Sequence, residues 1–331
     1  MRSCPSRQVL VVALAIVLLN LLAAPLAEGA GGELTFTLAD PRGDDHGDGT
    51  LVYPISDDMG PGDLDLISFS AYRDKDGTVF EATFARTIRR PTRRPIDELG
   101  TLLSNVARYG FYTFNIDVYI DIDRIPGSGS TTMLPGRRAT IAPVSAWEKA
   151  ICLTPRPNEA REELKTILGR QARLELKRRQ GRVESEDEHA FAGSVSNEVA
   201  SSVFFPTLVW VTNRSVRFFV PASFLGGVAT DTWSYVVAVS GADIEREVDV
   251  PGALGADNRP PATLMIIPVG SGRRGVGFFG GGQEDDDLQP PLVDIIVPAG
   301  MTQEAVLKDY SLGEGRPVHL PGVVPADVKG K

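Results

Sequence analysis

Phe114-Asn-Ile-Asp-Val-Tyr-Ile-Asp121 alternates apolar and polar residues along its whole length. Successive side chains of an extended chain point to opposite faces, so Phe114, Ile116, Val118 and Ile120 share one side and Asp117, Tyr119 and Asp121 the other. This predicts a strand with one core face. Upstream, Leu34–Leu38, Asp65–Tyr72 and Thr78–Phe84 alternate in the same way, and Asp74-Lys-Asp-Gly77 supplies a hairpin turn between the last two. Downstream the pattern returns at Thr140–Pro143, Ala146–Leu153, Phe204–Val211, Val216–Val220 and Trp233–Val239, with buried strands expected at Thr263–Ile267 and within Pro290–Pro298. Short strands separated by turn residues predict a mostly antiparallel β-sandwich of jelly-roll or immunoglobulin-like type.

The periodicity changes once. From Glu159 to about Arg182, Leu164, Ile167, Leu168 and Ala172 fall at helical spacing among Lys165, Arg170, Arg173, Lys177, Arg178, Arg179 and Arg182. We expect one charged α-helix inserted into the β domain at about 156–200. Its basic residues suit a solvated face or docking on an anionic envelope surface. Glu184–Glu188 reverses the sign and is expected to begin a flexible loop through Asn197.

Residues 1–30 have the makings of a secretory signal: Arg2 and Arg7, an apolar run over Val9–Ala24, and small residues around Ala27-Glu-Gly29. An uncleaved anchor is the rival reading, because the run is near the lower limit for spanning a bilayer. Cleavage would remove Cys4 and leave Cys152 alone, so no internal disulfide is expected. The expected location is secreted, periplasmic or cell-envelope-associated, with a domain over 31–322. An irregular tail is expected at 323–331, and little periodicity is visible from Leu312 onward. The net charge of −9 argues against nucleic acid as a partner.

Acidic residues gather in Asp40-Pro-Arg-Gly-Asp-Asp-His-Gly-Asp-Gly-Thr-Leu-Val-Tyr-Pro54. Asp40, Asp44, Asp45 and Asp48 lie among residues that let the backbone curl, which suits a calcium ion, although the same composition also makes an ordinary surface turn. A second acidic, glycine-rich run, Phe279–Asp287, leads into Pro290–Pro298 and could converge with the first on one cation site. Asp121 and Asp123 form a close carboxylate pair, suited to metal or solvent more than to glycosidase chemistry, whose carboxyls must flank the scissile bond. Arg86–Pro95 is basic and proline-punctuated, and is read as a solvated loop.

Catalytic signatures are missing from the sequence: it has only His46, His189 and His319, and no Gly-x-Ser-x-Gly, His-Glu-x-x-His or Cys-His pattern. Gly270-Ser-Gly-Arg-Arg-Gly275 matches a dinucleotide fingerprint. The glycine-rich Val276–Gly282 cannot open the helix that fingerprint requires, so the match is discounted. Met59, Met133, Met265 and Met301 leave a b-type haem module as a rival, against ordinary core filling.

The blocks resemble the carboxy-terminal binding module of glucodextranase, a family related in fold to family 9 carbohydrate-binding modules and DOMON-like sandwiches. The residues that carry the likeness are Asp40-Pro with Gly43-Asp-Asp and Tyr53-Pro54; Gly62 with Asp65-Leu66; Ile116–Asp121; Pro135-Gly136 before Trp147; Val220-Pro221 with Leu225-Gly226 and Trp233; and Phe279-Gly-Gly with Val293–Pro298 and Gln303. The resemblance implies a non-catalytic module that binds polysaccharide or cell-envelope glycan. It also implies calcium, carried over to Asp40, Asp44, Asp45 and Asp294. The charged helix departs from the pattern, as does the lack of an accompanying catalytic domain, so a separate glycoside hydrolase or envelope protein is an expected associate. A purely structural envelope or assembly role is the alternative. Sugar rings stack on aromatic faces, which makes Tyr53, Tyr119, Trp210 and Trp233 the candidate platform. Trp147 fits a core position better than a platform.

Overall fold

A computed structural model describes residues 32–180, 185–244, 263–272, 274–282 and 288–328. The apolar leader at 1–30, the acidic run Glu284–Asp287 and the last three residues lie outside that set. In chain order the strands are β1 (Glu33–Ala39), β2 (Leu66–Arg73), β3 (Gly77–Phe84), β4 (Phe114–Asp121), β5 (Ala139–Ile141), β6 (Lys149–Leu153) and β7 (Val203–Phe204). They continue with β8 (Val209–Thr212), β9 (Ser215–Pro221), β10 (Ser234–Gly241), β11 (Val269–Ser271), β12 (Phe279–Gly282), β13 (Asp294–Ile295) and β14 (Val318–Leu320).

Two five-stranded sheets carry most of them, ordered β1-β2-β3-β9-β8 and β13-β10-β4-β6-β7. The first is antiparallel throughout, and in the second only β6–β7 runs parallel. Phe36, Phe69, Phe80 and Phe218 of the first sheet share one core with Ile116, Val118, Ile151 and Val237 of the second. The fold is therefore a mostly antiparallel β-sandwich, as the alternation predicts.

Strand β4 departs from the half-buried expectation, because all its residues are buried. Its second face, carrying Asp117 and Tyr119, lies under another apolar cluster built from Cys152, Val236 and Ile141 together with two helices. These are α1 (Pro157–Gln180) and α2 (Ser185–Ser202), which contribute Ala160, Leu164, Val195 and Val199. Polar groups on a buried face must find partners. Arg137 donates to both oxygens of Asp117, from Nε at 2.6 Å and an Nη at 2.8 Å, and Leu134 N donates to Tyr119 Oη at 3.0 Å. Trp147 is a core residue, as expected, with Nε1 donating to Thr132 O at 3.0 Å.

Helix α1 forms where the sequence predicts it. Pro157 at its first position is preset for helical φ, Glu159 lies in the first turn, and Lys177, Arg178 and Arg179 in the last turn complement the helix dipole. Three expectations are corrected. The insertion is a pair of helices, because Val195 and Val199, one turn apart, reach the second core where a loop was expected. Thr263–Ile267 is no strand: Leu264 and Met265 have φ of 49° and 60°, which turns the chain, and Leu264 N donates to Glu163 Oε1 on α1 at 2.9 Å. The C-terminal stretch is ordered as far as Val328. There β14 pairs in parallel with β5, Tyr235 and Val323 exchange backbone bonds of 2.9 and 2.8 Å, and helix α4 (Pro325–Val328) packs against β1. Between β13 and β14 lies α3 (Gln303–Leu307).

Candidate functional site

Asp40 follows β1, Asp65 precedes β2 and Asp294 opens β13, so strand ends from the two sheets deliver carboxylates to one place. The chain leaves β1 through Pro41 and turns at Gly43 (φ 87°), and Gly43 N donates to Asp65 Oδ2 at 2.8 Å. Gly47 (φ 59°) allows the next turn, where a Cβ would stand 2.5 Å from Leu51 Cδ1 and 2.8 Å from Leu292 O. The curl places carboxylate oxygens of Asp40, Asp44 and Asp294 all within 4.8 Å of one another.

Gln303, at the start of α3, brackets this loop. Its Oε1 accepts from Ile295 N at 2.7 Å, while Nε2 donates to the carbonyls of Asp44, Val293 (3.1 Å) and Gly47 (3.2 Å). A lone glutamine in a sequence carries no sign of such a role, beyond its place after the Val293–Pro298 strand.

Asp45 points elsewhere: its Oδ2 accepts from the Tyr53 hydroxyl and from Gly62 N at 2.6 Å. Asp48 is likewise consumed by Thr50 and Gln289. The acidic run that was expected to converge here, Glu284–Asp287, lies outside the described residues, whereas Asp294 beyond it does arrive.

The cluster fits a hard cation. Asp40 Oδ2, Asp44 Oδ1, Asp65 Oδ1 and Asp294 Oδ1 are buried without a hydrogen-bond partner, and no described Lys or Arg forms an ion pair with any of these four residues. Native buried polar atoms are nearly always satisfied, so four orphaned oxygens together call for a ligand. Burial, followed by the charges of Asp44 and Asp65 against a lowering bond with Asp294, pushes the Asp40 carboxyl up to about 8. Burial and then Asp40 and Asp44 raise Asp294 well above the carboxylate range, and burial raises Asp44 and Asp65.

A pH dependence follows, with its sign. A carboxyl whose folded pKa exceeds its unfolded value stabilises the fold while protonated, and that contribution fades as pH rises from about 4, the unfolded value, through about 8. Metal-free protein is thus expected to melt at higher temperature at pH 5 than at pH 8. Calcium, which requires the ionised carboxylates, should raise the melting temperature more at pH 8 than at pH 5. Thermal scans in chelator and in calcium across this range check both signs.

The candidate aromatics separate by exposure. Tyr53 and Tyr119 are buried, the first bonded to Asp45 and the second tilted against Trp147 with centroids 5.5 Å apart, so neither offers a ring face to a sugar. Trp233 is half-buried against the main core. Trp210, on edge strand β8, is 50% exposed. Cross-strand register sets Trp210 beside Arg217 and Arg217 beside Glu81, a row across the outer face of the first sheet. Arg217 bonds Glu81 Oε2 from Nε at 2.8 Å, and its guanidinium lies 5.5 Å over the Tyr72 ring. Tyr72, Glu81 and Arg217 were missed because only pairing register aligns them. The available signal was their position on the non-core side of three alternating segments.

The basic stretch is spent on structure. Arg86 and Arg89 pair with Asp63, Arg94 pairs with Asp58, and Arg90 donates to Val211 O. Met59 and Met133 fill the two cores.

The outer face of the first sheet thus sets an aromatic ring, a guanidinium and a carboxylate side by side, groups suited to contacting a ligand. Comparison with known families agrees: the model of the C-terminal binding module, SLH-like, of glucodextranase matches residues 35–322, and the chain belongs to that family. No curated protein matches it. The family suggests a carbohydrate-binding role and a non-catalytic accessory domain, and such modules are typically extracellular or at the cell envelope. Among the described residues no helix is long and apolar enough to cross a membrane.

Proposed function

We propose that this protein is an exported, non-catalytic module that holds a polysaccharide or cell-envelope glycan on the outer face of its first sheet. Calcium at Asp40, Asp44 and Asp294, with Asp65 beside them, would neutralise the carboxylates and tie β1 and β2 of one sheet to β13 of the other. The observation that carries the glycan reading is the row Trp210–Arg217–Glu81. The indole supplies an apolar face for a pyranose, while the ion pair beside it supplies fixed donors and acceptors for hydroxyls.

Co-sedimentation and affinity electrophoresis against α-glucans, β-glucans and cell-wall preparations test this reading. Trp210→Ala is expected to weaken retention on the bound glycan about tenfold or more, equivalent to about 1.4 kcal/mol, with an unchanged circular dichroism spectrum because the ring stands in solvent. Undiminished retention by this variant would move the site off this face. Folded protein that binds no glycan at all would favour a structural envelope role instead.

A further inference from the structure

The end of β4 holds a second group of acids, remote in sequence from the first. Asp121 closes the strand, Asp123 follows it, and Glu148 lies just before β6; carboxylate oxygens of the three lie within 4.8 Å of one another. The loop between them is folded onto these side chains. Arg124 N donates to Asp121 Oδ1 at 2.7 Å, Ile125 N to Asp123 Oδ1 at 2.8 Å and Ile122 N to Glu148 Oε2 at 2.8 Å. Arg124 takes φ of 57° to make this turn, a left-handed conformation unusual for a residue other than glycine.

Those bonds leave the group short of positive partners. Asp121 is 1% exposed, and its Oδ2 is buried with no hydrogen-bond partner. Ser128 Oγ lies 2.9 and 3.1 Å from the two Asp123 oxygens and 3.2 Å from Glu148 Oε1, yet a hydroxyl has one proton and can serve only one of them at a time. The adjacent basic side chains donate elsewhere, although the Arg124 charge still reaches Asp121. Arg124 donates to Thr232 O at 3.2 Å, and Lys149 to Ser201 O at 2.6 Å while lying over the Phe224 ring. Among the described residues no Lys or Arg forms an ion pair with any of the three acids.

Three carboxylates this close repel one another unless protonated or bridged, and the buried, unpartnered Oδ2 of Asp121 supplies a ligand position. We propose that Asp121, Asp123 and Glu148 bind a second divalent cation of the calcium class, which pins the Ile122–Ser130 loop to the start of β6. The proposal is independent of the glycan reading and of the Asp40 cluster.

Equilibrium dialysis with calcium alone, on the full chain, tests it. Asp294→Asn removes a ligand of the first cluster and isolates the second. This variant is expected to keep calcium binding, which should weaken about tenfold or more when Asp123→Asn and Glu148→Gln are added. Asp123 is exposed and Glu148 half-buried, so these substitutions avoid the buried Asp121 and the risk of unfolding; circular dichroism checks the fold of each variant. Calcium binding abolished by Asp294→Asn alone would overturn the proposal, and so would residual binding that the added substitutions leave unchanged.

Discussion

Arg137→Met is expected to destabilise the protein by about 3–5 kcal/mol, the usual cost of stripping one partner from a buried ion pair. Arg137 and Asp117 are 0% and 1% exposed, and both Asp117 oxygens depend on the guanidinium. Burial alone would pull the guanidinium pKa down, but Asp117 outweighs it, so Arg137 stays charged in the core. The same guanidinium donates to Pro135 O at 2.9 Å and lies 3.5 Å from Cys152 Sγ, so its loss also unsettles the chain entering β5. Urea denaturation gives the measurement. Arg137→Met combined with Asp117→Leu should recover most of the loss, because the orphaned charge leaves with its partner. A single variant within about 1 kcal/mol of the parent, the range of an ordinary substitution, would mean that water or another group already serves Asp117.

Chelation carries the second large effect. With calcium at about a hundred times its dissociation constant, binding to the folded state alone adds about 2.7 kcal/mol. At pH 7.5 a chelator is expected to remove most of that from the parent protein, and less in total from Asp294→Asn, whose remaining loss reports only the Asp121 cluster. In chelator this variant should be at least as stable as the parent, since it lacks one acid of a group whose burial and mutual repulsion already hold Asp40 and Asp294 above the carboxylate range. Parent protein with the same unfolding midpoint in calcium and in chelator would remove the structural role assigned to the metal.

Much of the sandwich can be read from alternation, because a strand with one buried face writes its period into the sequence. Phe114–Asp121, Thr78–Phe84 and Val216–Val220 all lie in strands as expected. What alternation cannot convey is the environment of the polar face. Asp117 and Tyr119 have the pattern of a solvent side, yet the helix pair and the segment around Leu134–Arg137 cover them, and nothing local to β4 encodes that cover. Helix α2 escaped notice for a related reason: its packing rests on Val195, within the run to Asn197 whose charge suggests a loop, and on Val199 just beyond it.

The carboxylate cluster was legible in part. Asp40 and Asp44 stand out by composition, and Asp294 by its place in the order of family motifs. Asp45 is grouped with them by the acidic run and the Gly43-Asp-Asp motif, yet neighbouring residues in a turn point apart, and this one points inward to Tyr53 and Gly62. Tyr53 and Tyr119 illustrate the limit for aromatics, since residue type does not reveal which ring keeps a free face.

Helix α4 against β1 brings the last described turn of the chain beside its first strand, and the Val323–Tyr235 bonds hold it there. The path of the polypeptide is thus close to a closed ring, and the order in which its segments are synthesised matters less than their mutual contacts. A circular permutant that joins residue 328 to residue 33 by a short flexible linker, and opens between α1 and α2, should retain the sandwich.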